Sequence, residues 1–155
     1  KLSGRSFIIS KQSFVGPSAP LSGEKLSLVL SVYKAESFDH AMEISHAILN
    51  YEGIGHSVGI HTSNYSNAKC LAETTKVARV LVNQAHTFGN GGGFDNALPF
   101  TLTMGCGSWA GNSISDNLSL DNFLNKTVLV NTYAKPQVEK ATAFGMLYDK
   151  NFDNG

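Results

Sequence analysis

The sequence predicts an α/β fold built on a parallel sheet, and three observations carry that reading. Between residues 25 and 84, Val/Leu-rich runs alternate with runs of helical period in the order strand, helix, strand, helix, strand. Enough chain separates successive strand-like runs for the helical, right-handed crossovers that parallel strands require. Seven of the fifteen glycines then fall between Gly89 and Gly111, where the alternation gives way to an extended loop region.

Residues 1–23 carry Gly4, Gly16, Pro17, Pro20 and Gly23 among scattered serines and read as an irregular lead-in, with Phe7–Ile9 the one local candidate for a short strand. From Lys25 to Lys34, Leu26, Leu28, Leu30 and Val32 alternate with Ser27, Val29 and Ser31, the pattern of a largely buried strand. Ser37 precedes Phe38 and the first-turn acid Asp39, and Ala41, Ile44, Ala47 and Ile48 recur at helical spacing until Gly53. A second strand follows at SVGIHT, then a weak helix at NAKCLAETTK, then the strongly strand-like VARVLVNQ. LPFTLTM, residues 98–104, is a further strand candidate, and Phe123–Tyr133 is another, stopped by Pro136. The tail ends in the Asn/Asp-rich DKNFDNG, whose last residues are expected to be mobile.

Composition narrows the function. With 155 residues and 16.6 kDa the chain can bury a core, and its formal charge of zero disfavours general nucleic-acid binding. No apolar run approaches the roughly 18 residues of a membrane span, so no membrane partner is expected and the protein reads as cytoplasmic. Cys70 and Cys106 have no CxxC spacing, which fits a reducing compartment. Charged residues make up only 15%, against about 25% in typical domains, which suggests that a partner covers part of the surface. The chain opens on Lys1 without an initiator Met and is expected to be a piece of something longer.

Several motifs invite chemical readings. Gly55-His56-Ser57-Val58-Gly59 matches the G-x-S-x-G of a serine hydrolase elbow, and Ser57, Glu73 and His86 fall in triad order. The context is reversed, however, with a helix before and a strand after. Gly105-Cys106-Gly107-Ser108-Trp109-Ala110 fits a loose dinucleotide fingerprint, yet AGNSISDN is a poor helix start, and both glycine clusters read more simply as tight turns. The histidines show no metal-ligand spacing, so no metal is expected. His56 stands out because Gly53, Gly55 and Gly59 let backbone on either side approach a ligand. Cys70 reads as a small buried apolar group, Cys106 as the more accessible thiol, and Trp109 as a packing anchor.

PLSGEKLSLVL (residues 20–30), GIGHSVGIHTSN (53–64), RVLVNQAHTFGNGGGFDNALPFTLTMGCGSW (79–109) and AGNSISDNL (110–118) together resemble the carboxy-terminal third of the CoA-acylating aldehyde dehydrogenases. The HTFGNGGGFDN wording is most similar to members acting on sulfoacetaldehyde. The resemblance implies an α/β, parallel-sheet half of a catalytic domain at 24–118, an oligomerisation strand region at 119–136 and a tail at 137–155. It implies that a thiolate attacks an aldehyde of the sulfoacetaldehyde or acetaldehyde class, that a hydride passes to NAD or NADP, and that CoA releases the acyl group. Glu24 matches the glutamate that binds the nicotinamide ribose, and His56 matches a histidine near the cofactor and reacting centre. Residues 87–96 would border the substrate pocket, and Phe123–Tyr133 would be the strand exchanged across a dimer. Partners are thus a small aldehyde, CoA, and a second copy or an upstream segment of the same enzyme.

The family's nucleophilic cysteine and dinucleotide-binding domain lie upstream of the matched region, and neither Cys70 nor Cys106 occupies the nucleophile's position. Leu28 replaces the usual proline, Ser57 the more common threonine, and residues 1–19 match poorly. The segment is therefore expected to be inactive alone. A serine hydrolase using Ser57 and a non-catalytic assembly module are the alternatives.

Overall fold

A computed structural model describes residues 7–134 and 138–147. Ser37 organises the first helix, α1 (Phe38–Glu52): its hydroxyl accepts from the His40 N–H at 3.1 Å, and Asp39 faces the positive end of the helix. Gly53 ends it with φ 128°, a conformation that a side chain would strain, while its N–H bonds the Leu49 carbonyl. The strands are β1 (Ile8–Gln12), β2 (Val29–Tyr33), β3 (Gly55–Ile60) and β4 (Val77–Val82). Helix α2 (Tyr65–Thr74) joins β3 to β4, the short α3 (His86–Asn90) follows β4, and α4 (Lys140–Phe144) lies near the end of the chain.

All the strand pairing is parallel, as expected, but it forms two separate two-stranded sheets instead of one. Strand β1 pairs with β2 from Ile8 opposite Val29 to Gln12 opposite Tyr33, and β3 pairs with β4 from Gly55 opposite Val77 to Ile60 opposite Val82. The lead-in therefore holds a full strand where only Phe7–Ile9 had a strand-like pattern. Lys11 and Gln12 join it because the ladder with β2 satisfies their backbone whatever their side chains. Apolar residues of the first sheet, Ile8, Ile9 and Leu30, are more than half exposed, so the strand expected to be largely buried starts only at Val29 and is not buried in this chain.

The buried apolar residues are Met42 of α1, Ala68 and Leu71 of α2 and Leu81 of β4, so the two long helices both reach the core. Cys70 departs from its expected burial. It is exposed, because the buried stripe of α2 runs through Ala68 and Leu71 and turns the intervening Cys70 outward. Cys106 is half-buried, the less accessible of the two thiols, and Trp109 is half exposed.

The chain divides into two compact units, Lys1–Leu124 and Asn125–Gly155. In the first, residues 98–104 form no strand. They contribute one antiparallel bridge, Met104 to Asn117, because the run has no neighbouring strand to pair with. Among the described residues, the expected strand at Phe123–Tyr133 is not formed either. Pro136 and the DKNFDNG tail lie outside the described residues. Among those described, no helix is long and apolar enough to cross a membrane, and no group of His, Cys, Asp and Glu could hold a metal ion.

Candidate functional site

Glu24 and His56, the two site residues singled out in the sequence, line one open cleft of about 560 Å³ in the first unit. Its walls come from the Ser22–Lys25 loop ahead of β2, from Ile48 and Glu52 at the end of α1, and from Gly53, Ile54 and His56. The loop is tied down locally: Lys25 Nζ donates to the Leu21 carbonyl at 2.9 Å and to Ser31 Oγ at 3.0 Å, and the Ser31 hydroxyl also donates to Leu21. Leu26 then takes a left-handed φ of 44°, turning the chain from Glu24 into β2. The Glu52 carboxylate lies against Gly23, in the space that a Cβ there would take.

His56 is the second residue of β3, placed by a local requirement for glycine beside it. Gly55 has φ 109°, and a Cβ there would come within 2.8 Å of both the Cys106 carbonyl and the Ala110 side chain. The GCGSWA segment is thus a turn packed against the backbone of β3. Only a short 3-10 turn, Ser108–Ala110, follows its glycines, and a Cβ on Gly105 would strike the Ile114 carbonyl. It is a close-packed turn and not a phosphate cradle.

The neighbours of His56 were not legible in its own motif. The Ser57 hydroxyl lies 2.6 Å from His56 Nδ1, 2.9 Å from His86 Nε2 and 2.8 Å from Asn90 Nδ2. His86 and Asn90 stand at the two ends of α3, four residues apart and hence on one face. Gly59 of β3 leaves room for the imidazole, since a Cβ there would lie 2.8 Å from His86 Nδ1. Burial lowers the His86 pKa from its ordinary 6.5, and His56 beside it lowers it further. A ring that resists protonation in the fold contributes stability that is complete above pH 6.5 and is lost as the pH falls through its depressed value.

A buried polar network supports this cluster from below. Arg79 of β4, 7% exposed, donates from Nε to Asn117 Oδ1 at 2.9 Å, from one terminal nitrogen to the Gly105 carbonyl at 2.8 Å, and from the other to the Ser115 carbonyl at 2.9 Å. Asn117, 1% exposed, in turn donates to the carbonyls of Asn90, 3.0 Å, and Pro99, 2.8 Å. The glycine-rich loops and α3 are thereby fixed to β4. Burial pulls the Arg79 pKa below its ordinary value against the opposing fields of Cys106 and Asp116. A sequence signal for this residue existed: it is the lone charge in the otherwise apolar VARVLV.

The serine hydrolase arrangement is incomplete. Ser57 lies inside β3 and does not itself take a left-handed φ, so the strained strand-to-helix elbow is missing. Ser57 does meet His86, but Glu73 pairs with Lys69 at 3.7 Å instead of orienting that imidazole. His40 and His46 make other contacts, with the Glu36 N–H and the Thr75 hydroxyl.

No protein-family model matches the chain. It is 46% identical over 138 residues to an acylating sulfoacetaldehyde dehydrogenase of Cupriavidus necator, a match that covers 89% of this chain and 28% of that protein. It is 39% identical to an acetylating succinate-semialdehyde dehydrogenase of Clostridium kluyveri, over 79% of this chain and 27% of the relative. Among solved structures, an acetylating aldehyde dehydrogenase from Geobacillus thermoglucosidasius superposes with a TM-score of 0.76 at 30% identity, covering 89% of this chain and 30% of that one. The chain therefore spans less than a third of the length of these proteins.

Proposed function

We propose, on the premise that this chain is homologous to a segment of the acylating aldehyde dehydrogenases, that it supplies the wall of such an enzyme that faces nicotinamide and substrate. The reaction assigned to the whole enzyme is aldehyde plus CoA plus NAD or NADP to acyl-CoA, reduced cofactor and a proton, with sulfoacetaldehyde or acetaldehyde as the substrate class. The observation that carries the reading is the convergence of Glu24 and His56 on one cleft.

The chemistry of the cleft supports a nicotinamide ribose there. It is open, its loop wall is thinned by Gly23 and Gly53, and the acceptor-only carboxylate of Glu24 suits the two hydroxyls of a ribose. Glu24 holds and orients the sugar, and its negative charge strengthens those hydrogen bonds. His56, tied through Nδ1 to Ser57, presents Nε2 as the ring nitrogen with no hydrogen bond among the described residues, and it acts on the reacting oxygen. A nicotinamide held there by Glu24 would supply the hydride acceptor for the thiohemiacetal carbon. Neither Cys70 nor Cys106 lines the cleft, so the acylated thiol is assigned to neither.

The test is a chimera in which this chain replaces the matched region of the Cupriavidus necator relative. Glu24→Gln in that chimera should raise the cofactor KM about tenfold, the loss expected when a charged acceptor becomes a neutral one. An unchanged KM and kcat would remove Glu24 from the site.

Assembly follows from residues 124–134. Val128, Leu129, Val130 and Tyr133 are 76%, 86%, 82% and 83% exposed, an apolar β-prone run without a ladder partner. Pairing with a second copy would satisfy both the backbone and the side chains. The purified protein is expected to be a dimer or larger by light scattering, and a strictly monomeric mass at high concentration would contradict this.

A further inference from the structure

Three groups compete for one serine hydroxyl beside the cleft, and counting their protons constrains the histidine that faces it. Ser57 Oγ offers one hydrogen and two lone pairs, and its partners are His56 Nδ1, His86 Nε2 and Asn90 Nδ2. The Asn90 amide can only donate, so it occupies one lone pair. Of the two imidazoles, one must then donate to the second lone pair and the other must accept the hydroxyl proton. The distances divide the roles. The 2.6 Å contact to His56 has the length of a hydrogen bond donated by a hydroxyl, and the 2.9 Å contact to His86 that of one donated by N–H.

We propose that His86 is a positioning residue that, through the Ser57 hydroxyl, holds His56 in the tautomer with its proton on Nε2, so that a neutral imidazole N–H is offered to the oxygen of the bound aldehyde. A donor fixed in this way polarises the carbonyl and stabilises the oxyanion formed on thiolate attack.

An independent observation fixes the direction of the Asn90 amide. Asn90 is 3% exposed and its Oδ1 is buried with no partner. Turning the amide round would bring Oδ1 to Ser57 and let both rings donate, but it would strand a buried NH2 in place of a lone carbonyl oxygen. Orphaned buried donors are the rarer of the two in folded proteins. Gly59 completes the device, since it allows the His86 ring to lie against β3 within reach of Ser57.

The site of protonation is read on the 155-residue chain by long-range proton–nitrogen NMR of the imidazoles at alkaline pH. His56 is expected as a single tautomer, with Nε2 protonated and Nδ1 in the acceptor range. His86→Gln, whose amide can still donate to Ser57, should leave this unchanged. His86→Glu removes the donor and supplies an acceptor for the serine proton, so the His56 proton should move to Nδ1 and its two ring-nitrogen signals should exchange positions. A purely structural role for His86 would not move a proton on a ring two hydrogen bonds away.

A wild-type His56 protonated on Nδ1, or a His86→Glu variant that keeps its proton on Nε2, overturns the proposal. The wild-type spectrum decides even if the glutamate variant fails to fold. The purpose assigned to this tautomer rests on the aldehyde dehydrogenase reading, but the measurement uses no substrate. Its failure would leave that reading intact, and a failed Glu24→Gln test would leave the tautomer assignment intact.

Discussion

Arg79→Met is expected to destabilise the protein by about 2 kcal/mol or more, because it strands two buried acceptors and a third that is part-buried, at roughly 1–3 kcal/mol for each one left buried and unpaired. The acceptors are Asn117 Oδ1 and the carbonyls of Gly105 and Ser115, so a single side chain joins β4 to both arms of the 105–117 loop. Arg79→Lys should recover less than half of the loss, since an ammonium cannot span the three directions of a guanidinium fork. Urea denaturation of the three proteins checks this. A loss below about 1 kcal/mol for the methionine variant would show that the loop finds other donors. Because Asn117 also bonds the Asn90 carbonyl, the same substitution should loosen α3 and broaden the His86 resonances.

The isolated 155-residue chain is expected to show no CoA-dependent reduction of NAD or NADP with acetaldehyde or sulfoacetaldehyde. Thioester formation needs a thiolate activated by a cation or a helix amino end and held against the reacting carbon. Cys70 is exposed on α2, and its neighbour Lys69 is engaged with Glu73. Cys106 lies in the turn packed on Gly55, within the field of Arg79 but outside the lining of the cleft. Turnover that survives Cys70→Ser and disappears with Cys106→Ser would reassign the nucleophile to Cys106.

What the sequence disclosed depended on whether the signal was local. Helix α1 was legible from its cap to its last residue, because Ser37, the 3.6-residue period and Gly53 act within the segment itself. Strand β4 was legible from its Val/Leu run. Strand β1 was hidden because its second half, Lys11 and Gln12, is strand only by virtue of pairing with β2. The expectation of one sheet failed for a similar reason, since periodicity identifies strands but does not say which lie side by side.

The site divides in the same way. Flanking glycines singled out His56, and the family resemblance pointed to Glu24. The roles of His86 and Asn90 beside His56 were missed, although Ser57 and His86 were read together in triad order and Asn90 fell in the stretch expected to border the substrate pocket. Their link to His56 runs through a serine 29 residues away from His86, and Gly59, the residue that admits the ring, looked like half of a hydrolase motif. Cys70 was misjudged because a weakly amphipathic helix leaves the phase of its buried stripe ambiguous.

If this chain forms the cofactor-facing wall of an acylating aldehyde dehydrogenase, as proposed, it should work in place of the matched region of the Cupriavidus necator relative. The measurement is CoA-dependent formation of NADH or NADPH from sulfoacetaldehyde and from acetaldehyde, by the relative lacking its matched region, by the chimera, and by the chimera carrying His56→Gln. No turnover is expected from the truncated relative, turnover from the chimera, and a loss of about 100-fold or more with His56→Gln, the scale of a missing acid–base or oxyanion-stabilising group. A folded, cofactor-binding chimera with no activity, or a His56→Gln chimera as active as its parent, would contradict it.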